Sequence, residues 1–315
     1  MKISDFTSPF FGNRNPDDND LGFGTKITSE GTRLVNKDGS FNIERNGAHA
    51  WAPYLWLVEM SWMKFFLIVS SFYFVTNALF ALGFVFIGVD SIAGVDSKGF
   101  FEDFGTSFFF SVQTFTTVGY GALSPSNVWA DLLSSVVALV GLMTFALATG
   151  LFFSRFSKPR AQLLFSKIAI IAPYHDIQSF QFRIANKRNN NIIDAEAKVA
   201  MTWIEEINRE KKRRFASLPL ERDMIALLPL NWTIVHPINE ESPLYQLTSD
   251  DLRRMQVEFI IQIKAYDETF AQQVNSNSSY TAGELLWHKK FESMYYPNQK
   301  TTVLDLDKID AVYDA

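Results

Sequence analysis

Two long uncharged runs stand out from an otherwise mixed pattern: Phe65 to Ile87 and Leu132 to Ser154, each of 23 residues. At about 1.5 Å of rise per residue, such a run covers the ~30 Å hydrocarbon core of a bilayer with room for tilt, so both predict membrane-spanning helices. Just before the first run, Trp51 to Met60 is aromatic, amphiphilic and too short to span. It predicts a helix lying in the membrane interface or, because Pro53 is tolerated in a first turn, a simple extension of the first span. Between the runs, Phe101 to Thr114 is apolar and short, the pattern of a re-entrant helix. From Leu163 onward the period changes to two, as in Phe180, Phe182, Ile184 and again in Ala195, Ala197, Val199, Met201. That alternation predicts strands of an antiparallel sandwich, broken at Pro173, Pro219, Pro229, Pro237 and Pro243, with Val257 to Ile263 a further strand. Thr248-Ser249-Asp250-Asp251-Leu252 carries the caps of one short helix.

The pattern divides the chain into a polar arm (1–46), a membrane pore domain with its interfacial helix (47–157) and an aqueous β-domain (158–315). The overall 47% of hydrophobic residues conceals this division. A net charge of −5 gives no electrostatic case for nucleic acid, and the absence of cysteine excludes disulfides and thiolate metal sites. Local charge orients the membrane half. Asp90, Asp96, Glu102 and Asp103 oppose Lys98 alone between the runs, whereas Arg155, Lys158, Arg160 and Lys167 follow the second run. The positive-inside rule then predicts both termini in the cytoplasm. Asp17, Asp18 and Asp20, with no apolar stretch around them, argue against a secretory leader.

Candidate chemistry lies between the spans, at Thr116-Thr117-Val118-Gly119-Tyr120-Gly121. Four copies of Thr117 to Gly121 around one axis would aim rings of backbone carbonyls at a pore, where they replace the water shell of K⁺. Gly119 and Gly121 permit backbone angles closed to other residues, so successive carbonyls can turn inward. Thr117 adds a hydroxyl ring. The carbonyl end of the re-entrant helix would present negative potential to a cation. Non-helical backbone at membrane depth must be enclosed by protein or line a water-filled pore, so two spans with one such loop demand a tetramer. In the second span, Gly141 and Gly150 serve either close packing or a hinge.

Further strings resemble a family across nearly the whole chain. They are Asn36-Lys37-Asp38-Gly39-Ser40-Phe41-Asn42-Ile43, Phe109-Phe110-Ser111-Val112, Arg155-Phe156-Ser157-Lys158-Pro159-Arg160, His236-Pro237-Ile238 with Ser242-Pro243-Leu244-Tyr245, and Tyr266-Asp267-Glu268-Thr269-Phe270. In these the chain resembles the inward-rectifier potassium channels, most closely their prokaryotic branch. The resemblance implies an α+β membrane protein with two transmembrane helices, a re-entrant pore helix, a filter loop and a cytoplasmic immunoglobulin-like β-sandwich. It implies a homotetramer in the bacterial inner membrane, gated under the influence of anionic lipids, with K⁺ as permeant ion and no cofactor. Polyamines, Mg²⁺ and barium are the blockers to be expected. Residue by residue, Phe153 matches the apolar constriction where inner helices cross. Tyr266, Thr269 and Phe270 match the apical loop of the cytoplasmic pore, and Asp194 an acidic position lining it, although a lone surface aspartate reads equally well. Lys64, Arg155, Lys158 and Arg160 match a basic cluster at lipid headgroups, for which ordinary positive-inside flanking is the bland alternative. Two positions depart from the family. Gln113 with Thr116 supports the filter where many members carry a Glu, and Leu123 replaces the basic partner of that Glu, so no buried charge is orphaned. Phe145 replaces the acidic blocker-binding residue of strong rectifiers, which predicts weak rectification.

Other classes have poor support. Gly22-Phe23-Gly24 lacks the third glycine of a dinucleotide fingerprint, and neither G-x-S-x-G nor H-E-x-x-H occurs. The histidines at 49, 175, 236 and 288 are too scattered for a metal site, so no enzyme is expected. A non-conducting lipid or ligand sensor on the same fold is the remaining alternative.

Overall fold

A computed structural model describes residues 21–24, 31–47, 51–157, 162–207 and 210–315. The chain separates into two compact units: residues 47–158, and residues 159–315 together with 1–46. The arm, expected as a separate segment, therefore belongs with the β unit.

The first unit is helical. Helix α1 (Pro53–Glu59) starts with its proline in the first turn, where no N–H is needed, and stops at Met60, whose extended ψ of 162° breaks the chain before α2 (Trp62–Ile87). The interfacial segment is thus a helix of its own rather than an extension of the span. Helix α3 (Phe100–Phe115) is re-entrant in length, and α4 (Val128–Phe156) is the second span. Asn127 caps α4 by accepting from the Ala130 N–H at 2.9 Å. Helices α2 and α4 have mean hydropathies of 1.9 and 2.3 over their most apolar windows. Phe84, Phe110, Phe115, Ala130 and Val137 join the three long helices in one apolar cluster, with the Phe84 and Phe110 rings 5.0 Å apart. One polar contact crosses it: Ser111 Oγ donates to Asn77 Oδ1 at 2.9 Å, and Asn77 Nδ2 returns to the Tyr73 carbonyl on its own helix.

The second unit is a sandwich of two five-stranded sheets. Its strands are β1 (Leu163–Phe165), β2 (Ala169–Tyr174), β3 (Ile177–Asn186), β4 (Ile192–Ile207), β5 (Glu210–Ser217), β6 (Met224–Leu227) and β7 (Asn231–Ile238). Helix α5 (Ser249–Arg254) precedes β8 (Glu258–Asp267), β9 (Gln272–Thr281) and β10 (Leu285–Trp287). One sheet runs β9-β8-β4-β5 with β6 also on β4; the other runs β10-β2-β3-β1 with β7 also on β3. The pairing departs from the antiparallel expectation at one place, where β10 lies parallel to β2. Pro173 and Pro237, expected as breaks, sit inside β2 and β7. Strand β7 pairs with β3 alone and β10 stops opposite Ile171, so each missing N–H can face an unpaired edge.

Alternation fills the space between the sheets. Phe180, Phe182 and Ile184 of β3 meet Ala195, Ala197, Val199 and Met201 of β4 and Phe259, Ile261 and Ile263 of β8. Phe180 and Phe259 stack at 4.3 Å, and burying each such side chain stabilises the fold by about 1.5–3 kcal/mol. Thr248 and Asp251 form the reciprocal capping box that starts α5. On the far face of the β8 sheet lies the arm. Val35 is fully buried there, and the Glu258 carboxylate accepts from the Leu34 and Val35 N–H groups at 2.8 and 3.1 Å. Gly39, at φ +82°, turns the arm back so closely that a Cβ would stand 2.6 Å from the Asn277 carbonyl oxygen.

Candidate functional site

The loop after α3 begins by using the helix's own unsatisfied carbonyls. Thr116 N–H bonds the Val112 carbonyl at 3.0 Å and Thr117 N–H the Thr114 carbonyl at 3.1 Å. The Gln113 carbonyl then accepts from Val118 at 3.0 Å and Gly119 at 3.4 Å. Gln113 thus supports the loop through its main chain, and Thr116 Oγ1 adds a bond to the Val112 carbonyl at 2.8 Å.

Beyond that anchor the backbone alternates in sign. Thr117, Gly119 and Gly121 have φ of +59°, +50° and +80°, while Val118 and Tyr120 do not enter the left-handed region. In an ordinary strand successive carbonyls point to opposite sides. Alternating left-handed residues can bring them to one side, with no side chain required. Glycine meets this demand at two positions. At the third it falls on a β-branched threonine, a conformation costing about 1–3 kcal/mol that the surrounding bonds must over-determine. The sequence pointed to Gly119 and Gly121 for this freedom and gave no sign that Thr117 shares it. Val118 and Tyr120 remain exposed on the single chain, and Leu123 packs against the apolar helix cluster.

Helix α4 backs this loop. Gly141 is buried, and a Cβ there would lie 2.0 Å from the Phe115 carbonyl oxygen, so the absence of a side chain lets α4 approach the end of α3. That geometry supports close packing at Gly141. Nothing lies within 4 Å of the position a Cβ would take at Gly150. Phe145 and Phe153, eight positions apart on α4, are 74% and 71% exposed. With Thr149, whose hydroxyl returns to the Phe145 carbonyl at 2.9 Å, they form one stripe at helical spacing.

The basic cluster separates. Arg155, expected at lipid headgroups, is engaged inside the chain: its guanidinium donates to the carbonyls of Leu57, Val58 (3.1 Å) and Met60 (2.7 Å). It also lies 4.5 Å from the ring centroids of both Trp62 and Phe65. These are the orphan carbonyls at the end of α1, and the cation meets the negative end of that helix. Lys64 is exposed and lines an open cavity with Trp56, Glu59 and Ser61. Lys158 and Arg160 lie outside the described residues.

In the β unit, Asp194, Tyr266, Thr269 and Phe270 gather at one end of the β4–β8 pair. The ladder slips between Lys264 and Tyr266, and Asp194 occupies the resulting bulge at φ +47° with its side chain exposed. Tyr266 pairs with Ile193 beside it. The hairpin turn is organised by Asp267, a residue within the quoted motif whose role the motif did not reveal. Its buried carboxylate accepts from Asn190 Nδ2 at 2.9 Å, Thr269 N–H at 3.0 Å and Phe270 N–H at 3.4 Å. An aspartate two residues ahead of a turn N–H was the available signal. His236, by contrast, is a core group: its ring bonds the Pro219 carbonyl at 2.6 Å and Ser242 Oγ at 2.7 Å. Burial pushes its pKa down to about 4. Among the described residues, no cluster of three or more His, Cys, Asp or Glu side chains is arranged for a metal.

Two membrane-length helices, a shorter helix between them and a loop of alternating left-handed residues fit the class of a pore-forming channel subunit. The inward rectifier potassium channel C-terminal domain family matches residues 163–315, and the ion channel family matches residues 50–158. The inward rectifier potassium channel Kirbac3.1 of Paramagnetospirillum magnetotacticum is 36% identical over 278 residues, covering 86% of this chain and 92% of that protein. The ATP-sensitive inward rectifier potassium channel 12 of Gallus gallus is 26% identical over 314 residues, 90% of this chain and 72% of the relative. The sporulation control protein Spo0M of Bacillus subtilis overlaps 39% of the chain and 48% of its own, with a TM-score of 0.21, too low to carry an argument. The chain belongs to the inward-rectifier potassium channel family, in its prokaryotic branch, and is a membrane protein that conducts K⁺.

Proposed function

We propose that four copies surround one axis in a bacterial inner membrane, with both termini cytoplasmic, and select K⁺ with carbonyl rings from Thr117, Val118, Gly119, Tyr120 and Gly121. The observation that carries this reading is the alternation of φ at +59°, +50° and +80° immediately after the re-entrant helix. K⁺ at these carbonyls is the one bound metal the reading requires, and no cofactor enters it. Gln113 and Thr116 support the filter, and the stripe of Phe145 and Phe153 faces the permeating ion. Phe153 forms an apolar constriction that closes by dewetting. Gly141 and Gly150 set how closely the inner helices pack and where they bend. Asp194, Tyr266, Thr269 and Phe270 line the cytoplasmic part of the pathway. Anionic headgroups reach Lys64 and the basic residues that follow the second span, with Arg155 holding α1 instead of a lipid.

The test is Rb⁺ or K⁺ flux from liposomes of defined lipid composition, with barium as blocker. Barium-sensitive flux that excludes Na⁺ and changes with the fraction of anionic lipid is expected. Correctly assembled protein that passes no current would favour the non-conducting sensor.

A further inference from the structure

One cavity of about 200 Å³ belongs to the β unit and to none of the elements discussed as an ion pathway. Its walls come from four separate segments: Gly31 to Arg33 of the arm, Arg213 of β5, Arg253 with Gln256 to Glu258 from α5 to the start of β8, and Thr281 to Gly283 from the end of β9. Three guanidinium groups therefore converge from three places in the sequence. They are not equivalent. Arg33 is paired with Glu284. Arg213 is 4% exposed, and among the described residues its side chain makes no hydrogen bond or ion pair; it feels the Glu258 carboxylate only as a nearby charge. Arg253 is exposed and equally without a side-chain partner among the described residues.

Arg213 thus buries most of its side chain while its guanidinium nitrogens keep access to the water of the cavity, which a ligand can replace. Its burial accordingly lowers the pKa of Arg213. Glu258 makes no hydrogen bond to those nitrogens; its two oxygens accept from the Leu34 and Val35 N–H groups. With Arg33 paired to Glu284, Arg213 and Arg253 stand against Glu258 alone, so the walls keep an excess of positive charge. Guanidinium groups present planar forks of donors matched to tetrahedral or planar oxyanions, which they bind as charge-assisted pairs.

We propose that this cavity is a binding site for a small phosphate-type oxyanion, held by Arg213 from within and Arg253 from the rim, with Arg33, paired to Glu284, on the arm wall. Because the arm supplies one wall, bound anion also ties residues 31–33 to the β-sheet. The proposal does not depend on conduction.

Inorganic pyrophosphate, titrated calorimetrically into the full-length protein in detergent at fixed ionic strength, tests it. Saturable binding with one site per chain is expected, weakened about tenfold in Arg253→Gln and abolished in Arg253→Glu. Arg253 is exposed, so these variants remain informative if Arg213→Gln fails to fold. No saturable binding, or affinity unchanged in Arg253→Glu, would overturn the proposal. A loss of assembled species in Arg253→Glu by light scattering, without anion binding in the parent protein, would also overturn it, by assigning the cavity to an acidic side chain of a neighbouring copy. A parallel titration with dioctanoyl phosphatidic acid distinguishes the source: tighter binding than pyrophosphate identifies a lipid headgroup, and equal or weaker binding a free anion.

Discussion

The two units solve the burial problem in opposite ways. In the β unit, Phe180 and Phe259 stack inside their own chain and both are fully buried, so the apolar surface is consumed within one copy. In the helical unit, only 17% of the most apolar window of α2 and 11% of that of α4 is buried, with Phe145 and Phe153 among the exposed side chains. The first arrangement is driven by water. The second is fitted to a solvent that is itself apolar, where packing, small residues and satisfied hydrogen bonds hold helices together. Among the described residues, polar side-chain contacts between the helices of the helical unit sit at junctions: Ser111 with Asn77 between α3 and α2, and Arg155 with the end of α1.

Replacements in each unit should therefore fail differently. The largest effect is expected at the strained loop. Gly119 has φ +50°, where a Cβ costs about 1–2 kcal/mol per residue and misdirects a carbonyl in every copy. Gly119→Ala should abolish K⁺-selective flux with little change in the unfolding of the β unit; selectivity retained over Na⁺ would reject the filter assignment.

Gly141→Ala comes next. Its Cβ would collide with the Phe115 carbonyl, so α4 must shift, an overpacking worth about 1–3 kcal/mol. Thermal unfolding of the assembled protein should drop, and flux with it. A silent Gly141→Ala would mean that α4 stands farther from α3 in the membrane than the packing argument requires.

Phe153→Asp should raise basal flux several-fold, because in the proposed four-fold assembly four carboxylates would keep the constriction wet and attract cations. Equal or lower flux in an intact tetramer would move the gate towards the turn between Tyr266 and Val274.

Rectification gives a smaller, voltage-dependent signal. The parent channel should show shallow block by cytoplasmic spermine or Mg²⁺, and Phe145→Asp steep block, since charges facing a confined low-dielectric space act strongly on a multivalent cation. Steep block in the parent, or none gained in the variant, would remove Phe145 from the pathway.

The last effect belongs to the self-contained unit and is read in stability against pH rather than in flux. His236 has its pKa lowered from 6.5 to about 4 by burial, so the unfolded chain binds the extra proton between those values. The stability is therefore complete above pH 6.5 and falls by on the order of 3 kcal/mol as pH drops towards 4. Denaturant unfolding of the full chain should follow that slope, and His236→Gln should flatten it. Parallel slopes would show that other groups carry the acid sensitivity.

Much of this comparison was readable from residue order. Uncharged length announced α2 and α4 because a bilayer imposes one dimension, and period two announced β3, β4 and β8 because a pleated strand has two faces. Pro173 and Pro237 misled, since a proline breaks a strand only where its N–H would have had a partner, and partners are set by distant strands. Arg155 misled for a related reason. Its charge and its place after an apolar run fit any membrane flank, and nothing local indicates that the end of α1 will occupy its donors.

By itself the sequence determined the elements, their division between bilayer and water, and the string that can form a filter, all of which depend on near neighbours. Tertiary structure decided what depends on approach between distant segments. It set the left-handed Thr117, the contact that requires Gly141 to lack a side chain and the capture of Arg155. It also set the carboxylate of Asp267 beneath its turn and the meeting of Arg33, Arg213 and Arg253. Periodicity is written in spacing of a few residues, whereas strain, close packing and unpaired charge exist only once remote groups share a space.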